Sequence, residues 1–495
     1  MHGLLTAGRI LAWPLLAAAI LSGAPLAGET SGIRWEDYTG RGFRNAPLEG
    51  ELGRLRVPVF HREPTGDTID LAFVRFRTTH PDPGPPIVFL AGGPGGSGIE
   101  AAALMASHPQ IRLLEHADVI GMDQRGTGLT RPDLSEPGWI ETLPFDEPID
   151  RGKLAAAAAR AAARTSDHWT RAGVNLDAYN SVESADDLDT LRRELGLEKI
   201  VLYGTSYGSH LGLAYLRRHG SHVERAVLTK VEGPNHTWKL PGTVQTALRQ
   251  AHALAVTDPS LSERARDLTG MLRSLLSELD QRPVELPADD DGEAVLIGSL
   301  DLQVAVSRAL AAARDIEQLP GMLETFLDGD WTALGPTARD LRRVSFLPMP
   351  LMMDCASGAT PERRQRIARE TGDANNLLGD AIYAPLYPEA CRAAGAPDLG
   401  DEFRQPFETS APTLFVSGTL DIRTPPSNVE ELLPGFSRGI HVVVRNAGHP
   451  ARELMSREYR DLLQAFLRGE AVEDCTIQLP EPIFSRPPDE AETSD

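Results

Sequence analysis

A chain of 495 residues with 41% apolar content has material for a sizeable buried interior and exceeds one minimal domain, which fits a large domain carrying an inserted second one. Its 70 acidic against 49 basic side chains give a formal net charge of −21, which argues against nucleic acid and anionic membranes as partners because both would be repelled. Solubility is the plainer role of that charge.

In chain order, residues 1–28 read as a secretory signal: Arg9, an apolar run from Ile10 to Leu21, then the small residues Ser22-Gly23-Ala24 and Ala27-Gly28. The run is short for a bilayer span and carries Pro14. No later stretch approaches about 18 uninterrupted apolar residues, so the mature protein is expected to be secreted or periplasmic without stable membrane insertion. Leu55 to Phe60 and Ile69 to Phe76 read as a hairpin at a sheet edge, joined by Glu63-Pro64-Thr65-Gly66-Asp67. Short runs that are apolar on both faces follow at Ile87 to Leu90, Val119 to Met122, Ile200 to Tyr203 and Ala226 to Leu228, the pattern of parallel strands covered by helices. A helix with Leu188, Leu191 and Leu195 on one face ends at Gly196 just before the third run. The alanine-rich stretch Leu154 to Ala163 reads as a plain surface helix.

From residue 236 to 405 helical periodicity takes over, as in Leu268, Met271, Leu272, Leu275, Leu276 and Leu279, and predicts a mainly helical cap. Asp289-Asp290-Asp291-Gly292 lacks calcium-loop spacing and reads as a solvated turn. Strands resume at Thr413 to Val416 and Ile440 to Val444, and an amphipathic helix carries Leu454, Leu462, Leu463, Phe466 and Leu467. The expected division is therefore 29–235 and 406–470 for a core of α/β class, split around the cap, and 471–495 for an acidic, proline-bearing tail. Of the three cysteines, Cys355 and Cys391 are nearest in sequence and both lie in the cap, so they are the expected pair, with Cys475 free or partnered in another way. The sequence alone leaves that connectivity open.

Gly204-Thr205-Ser206-Tyr207-Gly208 stands between a predicted strand and a helix. In that setting a G-x-S-x-G places the serine on a strained turn, with its hydroxyl above the sheet and a helix N-terminus aimed at developing negative charge. A serine hydroxyl needs a base that is itself oriented, which calls for an acid and a histidine later in the chain. Asp421 follows the strand Thr413 to Val416, and His449 follows the strand Ile440 to Val444. Both lie just past carboxyl ends of strands, where open α/β sheets build their sites. An oxyanion needs two backbone N–H donors: Tyr207 supplies one, and the loop Ala91-Gly92-Gly93-Pro94-Gly95-Gly96-Ser97-Gly98 the other, with Gly93 preferred to Gly92. That loop has neither a Walker lysine nor dinucleotide spacing, so phosphate binding is not expected.

These residues resemble the proline iminopeptidase and tripeptidyl aminopeptidase branch of the α/β-hydrolases. The resemblance rests on Gly92 to Gly98, Asp123-Gln124-Arg125-Gly126-Thr127-Gly128, the serine motif with its tyrosine, Gly418-Thr419-Leu420-Asp421 and Gly448-His449. It covers most of residues 50–470, the cap more loosely. It implies an α/β-hydrolase fold, mostly a parallel sheet with helices on both faces, and a cap that meets a peptide's free N-terminus. It also implies scaffold roles for Asp123 and Arg125. A buried ammonium needs a carboxylate, and Glu232 in Val231-Glu232-Gly233-Pro234 is placed to be one; a structural ion pair is the alternative. Ala91 stands where some relatives carry histidine, which favours tripeptidyl-type members. Asp133-Leu134-Ser135 lacks a cysteine common among relatives, which leaves Cys475 without that partner.

The expectation is thus a serine hydrolase with Ser206 as nucleophile, His449 as base and Asp421 orienting it, acting on short peptides with no metal or cofactor. An esterase on the same triad and an inactive binding protein on this fold are the rival readings.

Overall fold

The structure, a computed structural model, describes residues 32–288, 292–380 and 386–484; the expected signal segment, the Asp289-Asp290-Asp291 turn and the acidic ending from Ser485 lie outside them. Ten strands form one sheet: β1 (Arg34–Arg41), β2 (Pro47–Pro58), β3 (Thr68–Phe76), β4 (Ile87–Leu90), β5 (Val119–Met122), β6 (Ile200–Thr205), β7 (Val223–Thr229), β8 (Thr413–Gly418), β9 (Gly439–Arg445) and β10 (Cys475–Gln478). Their spatial order is β1-β2-β3-β5-β4-β6-β7-β8-β9-β10. The first three strands pair antiparallel with one another and with β5; from β5 across to β10 every pairing is parallel.

Both faces of the sheet are covered, which explains why its central strands are apolar throughout rather than alternating. Phe89, Val201, Tyr203, Val227, Leu414 and Val442 pack on one side with Ile99 and Ala102 of helix α1 (Gly98–Ala106) and with Tyr459 and Leu463 of the closing helix. Val88, Leu90, Leu202, Ala226 and Leu228 pack on the other with α3 (Ser181–Glu194) and α4 (Tyr207–His219). Helix α3 starts where the Asn180 side chain accepts from the Val182 and Glu183 N–H groups, and stops at Gly196, whose φ of 67° suits a residue without Cβ.

Three expectations need correction. The hairpin is not the sheet edge, because β1 pairs outside it; β1 is mostly polar and exposed, with no apolar alternation to mark it as a strand. The alanine-rich segment belongs to a 21-residue helix, α2 (Arg151–Arg171), that is not a plain surface helix. Leu154, Ala157, Ala158, Ala161 and Ala162 are buried against the helix Leu386–Ala394, alanine permitting the close approach. The tail does not begin at residue 471, since β10 adds to the parallel sheet beside β9; it is too short for its periodicity to register.

Between β7 and β8 the chain runs through helices from Pro241–Thr257 to Gly400–Arg404. The helix Leu268–Gln281 buries all six apolar residues that the periodicity marked, in a cluster of the insertion's own that also takes in Leu420 and Ile422 on either side of Asp421. The helix Pro348–Ser357 joins the sheet's core through Met349, Met352 and Met353, and its Cys355 is bridged to Cys391 of Leu386–Ala394, as expected, while Cys475 is free. Among the described residues no helix is long and apolar enough to cross a membrane.

Candidate active site

Ser206 stands alone between β6 and α4 with φ 53° and ψ −125°, a strained conformation for a residue with a side chain. The surroundings hold it there. Its N–H donates to the Thr229 carbonyl at 3.0 Å, and its carbonyl accepts from the Ser209 N–H at 2.8 Å and hydroxyl at 2.6 Å. A Cβ on Gly208 would lie 2.0 Å from the Leu90 carbonyl oxygen, and one on Gly204 2.5 Å from that of Gly208, so the flanking glycines answer to close backbone contact. Tyr207 opens α4, so its N–H has no partner within the helix. The glycine loop lies alongside: a Cβ on Gly92 would sit 3.2 Å from Ser206 Cβ, and Gly93 has φ 126°.

Asp123 fastens that loop. Its Oδ1 accepts from Ser97 Oγ at 2.7 Å and the Ile99 N–H at 3.1 Å, and its Oδ2 from the Leu129 N–H at 2.7 Å. Arg125, fully buried, makes a two-pronged bond to Asp187 and donates to the Val59 and Ala178 carbonyls. Both act in the framework under the site.

Asp421, 2% exposed, lies 2.9 Å through Oδ2 and 3.1 Å through Oδ1 from His449 Nδ1. Oδ1 also accepts from the Arg423 and Thr424 N–H groups, and Oδ2 from the Thr424 hydroxyl at 2.6 Å. Burial alone would raise this carboxyl, but the bond and charge of His449, with the Thr424 donors, outweigh it and hold it down to about 2. A carboxylate only accepts, so Nδ1 carries a proton in this bond and Nε2 is the ring nitrogen left facing away from Asp421. Ser206 Oγ and His449 Nε2 have no hydrogen-bond partner among the described residues: the two stand at the same end of the sheet, unbonded to each other. Two further links tie the elements together. His449 N–H donates to the Ala311 carbonyl of the insertion, and the Lys230 ammonium, just past β7, lies 2.5 Å from Glu453 Oε1 in buried surroundings. A cleft of about 400 Å³ opens beside Ala311, Ile422 and Arg423, with Phe346 and Leu386 on its walls.

Glu232 is buried and its carboxylate is paired with Lys239. Burial opposes its charge, and Lys239, then His210, more than offset this and lower its pKa. Sequence reasoning missed Lys239 and also Asp354, whose Oδ2 accepts from the Tyr387 hydroxyl at 2.8 Å. Burial first, then the nearby Glu232 charge, push Asp354 up to about 7. The missed signal is an acid alone in the apolar run Leu351-Met352-Met353-Asp354-Cys355-Ala356. The same helix touches both segments beside Ser206: Met353 Sδ accepts from the Tyr207 hydroxyl at 3.1 Å, and a Cβ on Gly95 would meet Pro350 at 2.8 Å. Among the described residues no group of three or more His, Cys, Asp or Glu is arranged to hold a metal ion.

The chain is similar to a tripeptidyl aminopeptidase of Streptomyces coelicolor, 30% identical over 212 residues that cover 41% of this chain and 39% of that protein. It is 32% identical over 207 residues to the serine protease Hip1 of Mycobacterium bovis, covering 40% and 38%. To carboxylesterase B of Mycobacterium tuberculosis it is 35% identical over 145 residues, covering 27% and 26%. The matched regions thus span about two fifths or less of these relatives' length. The alpha/beta hydrolase fold family matches residues 85–453, most of the chain and every element described around Ser206, and the chain belongs to that family.

Proposed function

We propose that this protein is an exported serine exopeptidase that releases residues from the amino ends of short peptides. The observation that carries it is the strained Ser206 at the head of α4, at the same sheet end as a His449 ring fixed by Asp421. Ser206 Oγ attacks the scissile carbonyl carbon while His449 Nε2 takes its proton; the oxyanion rests on the Tyr207 and Gly93 N–H groups. The C–N bond then breaks as His449 returns the proton to the leaving amine, and water attacks the acyl-enzyme by the same route. This chemistry needs neither metal nor cofactor.

The peptide reading draws on the tripeptidyl aminopeptidase relative and on Glu232 and Asp354, two carboxyls under a helical cap of residues 236–405. A capped pocket admits chain ends and excludes folded proteins and nucleic acid. Export draws on the signal-like residues 1–28 and on a disulfide, which persists in oxidising compartments. The carboxylesterase relative favours a second reading, hydrolysis of small carboxylic esters on the same triad. Fluorophosphonate labelling that vanishes in Ser206→Ala, with side-by-side turnover of tripeptidyl and aminoacyl amides against short acyl esters, tests both. Ester turnover with no cleavage of any N-terminally free amide removes the peptidase reading.

A further inference from the structure

Two hollows border the helix Leu386–Ala394: an apolar cavity of about 500 Å³ with Trp238 and Tyr387 in its wall, and the cleft of about 400 Å³ to which Leu386 contributes. The charges lining the cavity balance, Lys239 and Arg364 against Asp380 and Glu389. Those lining the cleft do not, since Arg308, Arg343 and Arg423 stand against Asp340 alone. Arg308 is matched, its Nη2 lying 2.7 Å from Asp340 Oδ2. Arg343 and Arg423 pair with no carboxylate among the described residues, although the chain carries 70 acidic side chains; the Arg343 guanidinium carbon lies 5.9 Å from the centre of the Phe145 ring.

This surplus of positive charge adjoins the acid–base pair. The Arg423 N–H donates to Asp421 Oδ1 at 2.8 Å, so the Arg423 side chain leaves the backbone two residues from the acid. Ala311 lines the cleft, and its carbonyl accepts the His449 N–H at 3.2 Å. Phe346, on the wall, leads into the helix Pro348–Ser357, whose Pro350 and Met353 stand against Gly95 and the Tyr207 hydroxyl. Each of these walls therefore runs within a few residues into the surroundings of the triad.

The acyl transfer itself says which part of a substrate meets that flank. His449 returns its proton to the leaving nitrogen, which must come within hydrogen-bond reach of the imidazole, so the departing fragment begins beside His449. In a short peptide cut near its amino end, that fragment bears the free carboxylate of the chain. A guanidinium's planar fork holds a carboxylate by two parallel, charge-assisted hydrogen bonds. In a molecule of net charge −21, a cleft with unmatched cations is also where an anionic peptide is least repelled.

We propose that Arg343 and Arg423 form an anion subsite on the leaving-group side, which takes a carboxylate of the fragment that departs. This inference rests on the exopeptidase reading and narrows its substrates to short peptides with a carboxylate close beyond the cut.

Calorimetric titration of the Ser206→Ala protein tests it without any cleavage step. Tetra-alanine with a free carboxyl end is expected to bind at least about tenfold tighter than tetra-alaninamide at low salt. That ratio should shrink as ionic strength rises toward about 0.3 M. Arg343→Gln and Arg423→Gln together should bring it under about twofold. Both positions are exposed, and the backbone N–H that serves Asp421 is kept, so a thermal melt matching that of the parent verifies the fold. A second pair, Ala-Ala-Ala-Glu amide and Ala-Ala-Ala-Gln amide, separates the two sources of the carboxylate: preference for the glutamate peptide assigns the subsite to an acidic side chain, and preference confined to tetra-alanine assigns it to the chain end. Equal binding within both pairs overturns the proposal, as does a preference that survives the double substitution. The exopeptidase reading fails on a different result, the absence of cleavage of any N-terminally free amide by the unmutated enzyme.

Discussion

Asp421 and Asp354 are carboxyls whose surroundings drive them in opposite directions. Asp421 is held to about 2 because three donors and an imidazole favour its charge. Its folded-state pKa is depressed, so the stability it contributes is present above about pH 4 and is lost as pH falls toward 2. That contribution is on the order of 2 kcal/mol. Asp421→Asn should flatten the loss of stability between those pH values in acid denaturation curves, and should lower kcat by about 10³-fold or more, because the ring tautomer is no longer fixed. Asp354 behaves oppositely. Its pKa is raised to about 7 by burial and by Glu232, so the folded protein holds a proton that the unfolded chain releases, and stability falls as pH rises from about 4 through 7. Asp354→Asn should therefore raise Tm relative to the unmutated protein at pH 8 and much less at pH 5, and thermal melts at the two pH values check this. Asp421 could be read from the sequence because it follows a strand at a fixed place in an α/β sheet. Asp354 stood out only as an acid in an apolar run, and its raised pKa could not be read, because its neighbour Glu232 lies far away along the chain and only the insertion's packing brings the two together.

Elements were legible where the hydrophobic pattern is set by the sheet itself. β4 to β8 show apolar runs because helices cover both faces, and the glycines that follow them mark tight contacts with a computable cost. Gly208→Ala forces Cβ against the Leu90 carbonyl 2.0 Å away, so α4 must back off β4 and carry Ser206 with it. A stability loss of about 3 kcal/mol or more and loss of fluorophosphonate labelling are expected together. Elements that owe their place to neighbours rather than to periodicity escaped. β1 and β10 add at the edges of the sheet, β1 mostly polar and β10 only four residues long, and α2 buries alanines that look like surface residues. The two sides of α2 give a direct check. Ala158→Leu, on the face packed against Leu386–Ala394, should destabilise by about 1–3 kcal/mol in urea unfolding, whereas Ala156→Leu on the exposed face should change stability by less than about 0.5 kcal/mol.

At the scale of the molecule, the sheet places Ser206, Asp421 and His449 at one of its ends, while the insertion between β7 and β8 supplies the helices packed beside them. The two are joined in many places, three of which bear on the site. Leu420 and Ile422 beside Asp421 pack into the insertion's core, His449 is bonded to Ala311, and Met349, Met352 and Met353 return one helix of the insertion to the sheet's core. The Cys355–Cys391 bridge acts on that returning helix, tying it to Leu386–Ala394, which supplies Tyr387 to the apolar cavity and Leu386 to the cleft. With its ends 36 positions apart in sequence, the bridge removes unfolded-state freedom worth about 3–4 kcal/mol in the chain-entropy account. Replacing both cysteines by alanine should therefore lower Tm by several degrees. The loss should fall first on the roof and not on the catalytic elements, because Ser206, Asp421 and His449 are held by bonds that do not pass through the bridge. Labelling of Ser206 by a small fluorophosphonate should then persist at 25 °C near its original rate, while kcat/KM on peptide amides falls with a rise in KM. Equal losses in labelling and in peptide turnover would mean that the bridge supports the triad itself, and unchanged peptide kinetics would mean that the roof needs no such tie.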